Sequence, residues 1–237
     1  MATIKIEVIK MKVKQTLLSI SLAVFLASCS DDSNSWSAKD VCPEDGVNAY
    51  GMANRGTFID ERDGQEYRYT TIGDQVWMAQ NLNYVAEYSA CYDNNELNCD
   101  LWGRLYSLLE DGRTSGPMNY AMVDSICPTG WHVPSEQEWT RMIAAIGKYN
   151  DKETAKRLKS TELWTHEYSG GNGIDECGFR TLPGGVQQPS GSIHMYQNAL
   201  FLTSTMRTSG LAYAIFIGTD VDEVSSSHKN SIRCIKD

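Results

Sequence analysis

The sequence predicts a single α+β domain of short, twisted antiparallel strands around one or two helices, stapled by disulfides. Three observations carry that reading: β-rich runs toward both ends of the chain, a strongly amphipathic helix between them, and an even set of six cysteines once Cys29 is set aside. Strands, then helices, then strands in one chain make an α+β order. An apolar fraction of 41% is enough for a packed core. No internal repeat interrupts the pattern.

The N-terminus reads as an export signal. Lys10, Lys12 and Lys14 precede an apolar run over residues 17–27, which closes on Leu26-Ala27-Ser28-Cys29. Such a run is too short for roughly 30 Å of hydrocarbon, which takes about 20 apolar residues. Met11 also opens a complete signal, so residues 1–10 are dispensable to it. The Leu-Ala-Ser-Cys closure resembles the cleavage site of bacterial lipoproteins. That resemblance implies removal of residues 1–28 and acylation of Cys29, with several chains giving a stable anchor. Residues 30–35, Ser-Asp-Asp-Ser-Asn-Ser, have nothing to bury and read as a tether. The expected organisation is signal peptide 1–28, lipidated Cys, tether and arm 29–56, and a globular domain 57–237.

The first strands fall at residues 57–60 and 67–70, flanking Arg62-Asp63-Gly64-Gln65, where Asp-Gly is a turn dipeptide. Residues 76–78 add a third strand after the Gly73-Asp74 turn. Ser135 with Glu138 matches a capping box, and Trp139, Met142, Ile143 and Ile146 form one apolar face ending at Gly147. Pro134 supports that start, and Asp151 caps a second, shorter helix through Leu158. Residues 199–203, 212–217 and 231–235 return to β-rich runs separated by Gly, Ser and Asp clusters.

Removing residues 1–28, which carry four Lys and one Glu, takes the formal charge from −9 to −12. Nucleic acid is therefore excluded as a natural partner. Cys42, Cys91, Cys99, Cys127, Cys177 and Cys234 read as three disulfides of an exported protein, in a connectivity that counting alone leaves open. Cys91 and Cys99 lie close enough to close a small ring across Asp93-Asn94-Asn95-Glu96. Zinc is the rival reading, but the chain has no CxxC pair and no HExxH, and its histidines are scattered singly.

A family resemblance is carried by long, ordered motifs. These are Asp63-Gly64; Ile72-Gly73-Asp74-Gln75-Val76-Trp77-Met78-Ala79-Gln80-Asn81-Leu82-Asn83-Tyr84; and Gly103-Arg104-Leu105-Tyr106. They continue with Ile126-Cys127-Pro128-Thr129-Gly130-Trp131-His132-Val133-Pro134-Ser135, then Glu138-Trp139, Gly178-Phe179, Leu182-Pro183-Gly184-Gly185 and Ile232-Arg233-Cys234. Together they resemble the Fibrobacter succinogenes major paralogous domain. That resemblance implies a secreted or lipid-anchored envelope protein at the outer membrane or cell surface and names no activity.

Trp131-His132-Val133-Pro134 ahead of the amphipathic helix, the run through Phe201-Leu202-Thr203-Ser204 and the terminal Arg233-Cys234 are similar to the C-type-lectin-like architecture, including its formylglycine-generating branch. That resemblance implies a Cys127–Cys234 pair, which leaves Cys42 to Cys177. The calcium-holding Glu-Pro-Asn, Gln-Pro-Asp and Trp-Asn-Asp motifs of sugar-binding members are missing. Gln188-Pro189-Ser190 lacks the needed carboxylate, so no cofactor is expected and structural calcium has no supporting motif. Residues 93–100 read as a solvated disulfide ring, and Asp220, Asp222 and Glu223 as a charged turn.

Catalytic readings find little support. Glu136 and Glu138 sit two apart at one helix start, where capping and dipole roles account for them. His132 reads as a buried structural histidine, and Trp77, Trp131 and Trp139 as core. The expectation is a non-catalytic ligand-binding module for a polysaccharide or a surface protein, with recognition by loops carrying Gln187, Gln188, His194, Tyr196, Gln197, Asn198, Arg207 and Tyr213. A carbohydrate-active enzyme and a purely structural envelope protein are the alternatives.

Overall fold

A computed structural model describes residues 36–237, apart from 114 and 208. The signal, Cys29 and the tether to residue 35 lie outside the described residues. From Trp36 onward the chain forms one compact unit. The arm ahead of the first strand belongs to it: helix α1 (Ala38–Val41) packs on the body through Val41, beside Trp36, whose ring lies 3.9 Å from the Arg157 guanidinium. Cys42 then ties the arm to Cys177.

Two five-stranded sheets make up the body. The first contains β1 (Arg55–Asp60), β2 (Gln65–Ile72), β3 (Gln75–Met78), β4 (Trp131–His132) and β10 (Ile235–Lys236), antiparallel in the order β1-β2-β3-β10-β4. Its first turn is built as the dipeptide predicts. Gly64 takes the left-handed conformation, and its amide reaches Asp60 O at 2.8 Å, while Arg62 clasps the Asp60 carboxylate at 2.6 Å.

The second sheet contains β5 (Gly184–Gln188), β6 (Gly191–Met195), β7 (Ala199–Met206), β8 (Ala212–Ile217) and β9 (Val221–Ser226), in the order β6-β5-β7-β8-β9. Only the short β5–β7 contact is parallel. β6 and β9 are the edges. β6 buries none of its residues and β9 buries only Val221 and Ser226 at its two ends, so neither shows the alternation that marks a strand in sequence.

Helix α4 (Glu136–Ile146) joins the two sheets. Ser135 and Glu138 form a complete capping box, and Gly147 ends the helix. Its apolar face buries Trp139, Met142, Ile143 and Ile146, each contributing roughly 1.5–3 kcal/mol by transfer from water. Trp139 meets Trp77 of β3 at 4.7 Å and Phe201 of β7 at 5.3 Å, so one side chain couples both sheets. Helix α5 (Lys152–Leu158) follows with Asp151 as its cap, 2.8 Å from the Thr154 amide. Trp77, Trp131 and Trp139 are all buried, Trp131 stacking on Phe58 at 4.4 Å.

Two local expectations are corrected. Residues 93–100 are not simply a ring of loop: a 3₁₀ turn at Tyr92–Asn94 leads into helix α2 (Glu96–Trp102), capped by Asn95, with Cys99 and Trp102 buried on one side. A 3₁₀ turn at Glu110–Gly112 and the short helices α3 (Tyr120–Val123) and α6 (His166–Ser169) complete the irregular stretches. The terminal run over 231–235 pairs as a regular strand only from Ile235. Upstream it threads between the sheets, Ser231 exchanging hydrogen bonds with Leu200 and Leu202 of β7 at 3.0 Å each. Ile232 O and Cys234 O accept from Leu82 and Met78 at 2.9 Å. A segment bonded to both sheets is fully buried and belongs to neither ladder.

Candidate functional site

The polar residues from the predicted recognition set do not form one surface. The structure divides them into three places, and four of them lie in strands instead of loops: Gln187 and Gln188 in β5, His194 in β6, Tyr213 in β8.

Gln187 and Gln188 stand in a cleft of about 390 Å³ beside Asn94, Arg113, His228 and Lys229. Gly185 makes the β5–β6 hairpin possible. It has φ +63°, and a Cβ there would clash with Ile193 O. On the other side β5 meets the segment after β9, where the Gln187 and Lys229 amides each donate to the other's carbonyl at 3.0 and 2.8 Å. The Cys91–Cys99 ring presents Asn94, whose Oδ1 accepts from Gln187 Nε2 at 3.2 Å. His228 Nε2 lies 3.1 Å from Gln188 Oε1. Burial and the nearby His194 charge push His228 below its ordinary pKa, and burial alone does the same to Lys229. Gln187 Oε1 is buried with no partner among the described residues.

Tyr196, Gln197 and Asn198 occupy the tight β6–β7 turn, beside His194 near the end of β6. His194 Nδ1 and Gln197 Oε1 are 3.1 Å apart, and the exposed Tyr196 packs edge-on against Trp102 at 5.4 Å. Both His194 and Tyr196 have positive φ, which is strained for side chains of this size. Arg207 and Tyr213 meet elsewhere, the guanidinium 4.1 Å over the ring and 3.0 Å from Glu223 Oε1. Burial and a hydrogen bond with Glu136 raise the Glu223 carboxyl above its ordinary value. Asp222 and Glu223 lie in β9, not in a charged turn.

His132 is half-exposed, not buried, and lies between two carboxylates: Nε2 is 2.8 Å from Glu138 Oε1 and Nδ1 is 2.7 Å from Asp237 Oδ1. The hydrogen bond to Glu138 raises its pKa above the ordinary 6.5, with Asp237 adding to it. Burial works against the Glu138 carboxylate, and hydrogen bonds from His132 and Ser135 outweigh it, bringing it down to about 2. The arrangement fastens the chain beyond β10 to the start of α4. Among the described residues, no serine, threonine or cysteine appears as a side-chain partner of His132. Among the described residues, one grouping has metal-type ligands, Cys91, Glu96 and Cys99, and its two sulfurs are bonded to each other.

A family model for the Fibrobacter succinogenes major domain matches residues 70–236. The chain belongs to this family. No curated protein and no solved structure matches the chain. The match to the Fibrobacter succinogenes major domain takes in both sheets from the end of β2 onward and every residue of the cleft. Asn94, Arg113, His228 and Lys229 escaped sequence reasoning because they come from three separate segments with no shared spacing. The Cys91–Cys99 ring was the one signal pointing at Asn94.

Proposed function

We propose that this protein is a lipid-anchored module of the cell envelope, exported through residues 1–28 and held at the outer membrane or cell surface by Cys29, that retains a polysaccharide or a surface protein without chemical turnover. The observation that carries the reading is the cleft at Gln187 and Gln188: amide side chains converge there, one buried acceptor lacks a partner among the described residues, and the Ser89 hydroxyl in the lining donates to Ala86 O while the His228 ring meets Gln188, so the two are not joined to each other. An unmade buried acceptor costs roughly 1–3 kcal/mol, and a ligand hydroxyl met by rotation of the Gln187 amide toward the cleft would recover part of that. Three disulfides, Cys42–Cys177, Cys91–Cys99 and Cys127–Cys234, suit an oxidising compartment.

A C-type-lectin-like architecture is the finer fold assignment we favour. It is supported by a late strand lying between β3 and β4 and by the long-range Cys127–Cys234 link. The test uses full-length protein in detergent on insoluble polysaccharides and envelope fractions. Retention without released reducing sugar, lost in a Gln187→Ala, Gln188→Ala double variant, is the expected result. Sugar release would replace binding with catalysis, and retention unchanged in the variant would remove the cleft. Cys29→Ala should free the protein from membranes.

A further inference from the structure

The chain is strongly acidic, with a formal charge of −9, yet the cleft is lined by Arg113, His228 and Lys229 and by no aspartate or glutamate. Lys229 has no carboxylate within ion-pair distance among the described residues, and Arg113 pairs only with Asp111 at 3.1 Å, both well exposed. A half-buried ammonium without a counter-charge is unfavourable, and a ligand anion would relieve it with charge-assisted hydrogen bonds. The guanidinium of Arg113 can hold a carboxylate by two parallel bonds.

The kind of molecule follows from the rest of the cleft. A peptide binding by strand addition needs free main-chain donors and acceptors. Here the Gln187 and Lys229 amides and carbonyls are spent on each other, and β5 is flanked by β6 and β7. What remains is side-chain amide chemistry from Asn94, Gln187 and Gln188, suited to hydroxyl groups. About 390 Å³ falls within the roughly 300–1,000 Å³ of small-ligand sites. Resting on the binding-module reading, we infer that the cleft takes an acidic saccharide, a glycan whose sugar carboxylate sits against Lys229 and Arg113 while its hydroxyls meet the amides.

The experiment is calorimetry on the full chain in detergent at low salt. Its probes are a galacturonate oligomer, the neutral galactose oligomer of equal length and a glutamate oligomer. The galacturonate oligomer should bind at least about tenfold more tightly than either of the others. Lys229→Gln and Arg113→Gln should each weaken it by about tenfold, with unchanged thermal midpoints, while leaving the neutral oligomer unaffected. Equal binding of the two saccharides, or no loss in either variant, overturns the acidic-saccharide inference and leaves the binding module standing. Equal binding of the glutamate oligomer overturns the saccharide class. Binding of no probe overturns the module reading together with the inference.

Discussion

Two polar regions of this protein are each built around a cation, and they treat it in opposite ways. In the seam between the sheets, Arg233 is completely buried. Its Nε donates to Asn81 Oδ1 at 2.9 Å, its two terminal nitrogens donate to the Phe179 carbonyl and, at 2.8 Å, to the Arg180 carbonyl, and its plane lies 4.3 Å from the Phe179 ring. Burial pushes it down to about 9, and it is still the charged form that this cage of acceptors fits. In the cleft, Lys229 has no counter-charge and Gln187 Oε1 has no partner among the described residues. The seam cation is matched inside the fold by three acceptors. The cleft cation is left unmatched at an accessible surface, where it is free to serve something else.

The largest effects should therefore come from the seam. Cys127 and Cys234 close a separation of 107 residues, and their bridge contributes roughly 4–5 kcal/mol in the chain-entropy model. A Cys127→Ala, Cys234→Ala variant should lose most of that in urea unfolding, and a loss under 1 kcal/mol would show the seam holding without its staple. Arg233→Met comes next. It strands Asn81 Oδ1, the buried Phe179 carbonyl and the half-buried Arg180 carbonyl, and should cost about 3 kcal/mol. Arg233→Lys should recover only part, since an ammonium cannot present the planar fork. Full recovery by lysine would mean that charge, not geometry, holds the site.

The same contrast explains what was legible in the sequence. The capping box at Ser135, the apolar face through Ile146, the Asp63-Gly64 turn and the cap at Asp151 are local signals, read within one turn of helix or one hairpin. All four stand in the structure as expected. The seam was half legible: residues 231–235 carry β-forming side chains, but nothing local says that their hydrogen bonds divide between two sheets. The β5–β6 hairpin and β9 were missed because edge strands with polar faces lack alternation. The cleft was least legible. Gln187 and Gln188 drew notice for their chemistry, while Lys229 is their neighbour only through the fold.

The His132 clasp should give a smaller, pH-dependent effect. Its folded-state pKa is raised, so its contribution is fully present below 6.5 and is lost as pH rises through the raised value. Glu138 is lowered to about 2, so its contribution is present above 4.5 and is lost as pH falls toward 2. Between about 4.5 and 6.5 both act. His132→Gln should lower stability most in that window, by about 1 kcal/mol once solvent screening of these half-exposed groups is allowed for. The gap from the native protein should narrow at alkaline pH. A gap that stays constant from pH 5 to 9 would mean that the ring packs there without ionic pairing.

The smallest effect sharpens the comparison most. Gln187→Leu makes in the cleft the same kind of change that Arg233→Met makes in the seam, a polar side chain exchanged for an apolar one of similar size. At Gln187 the exchange removes a buried acceptor that has no partner and gives up one exposed hydrogen bond to Asn94. Removing an unsatisfied group is close to neutral or mildly stabilising, so the unfolding free energy should move by no more than about 0.5 kcal/mol in either direction. Ligand retention should nonetheless fall. A stability loss near that of Arg233→Met would assign Gln187 to the scaffold and dissolve the contrast, whereas an unchanged fold with lost retention would separate the group that holds the protein together from the group that holds its ligand.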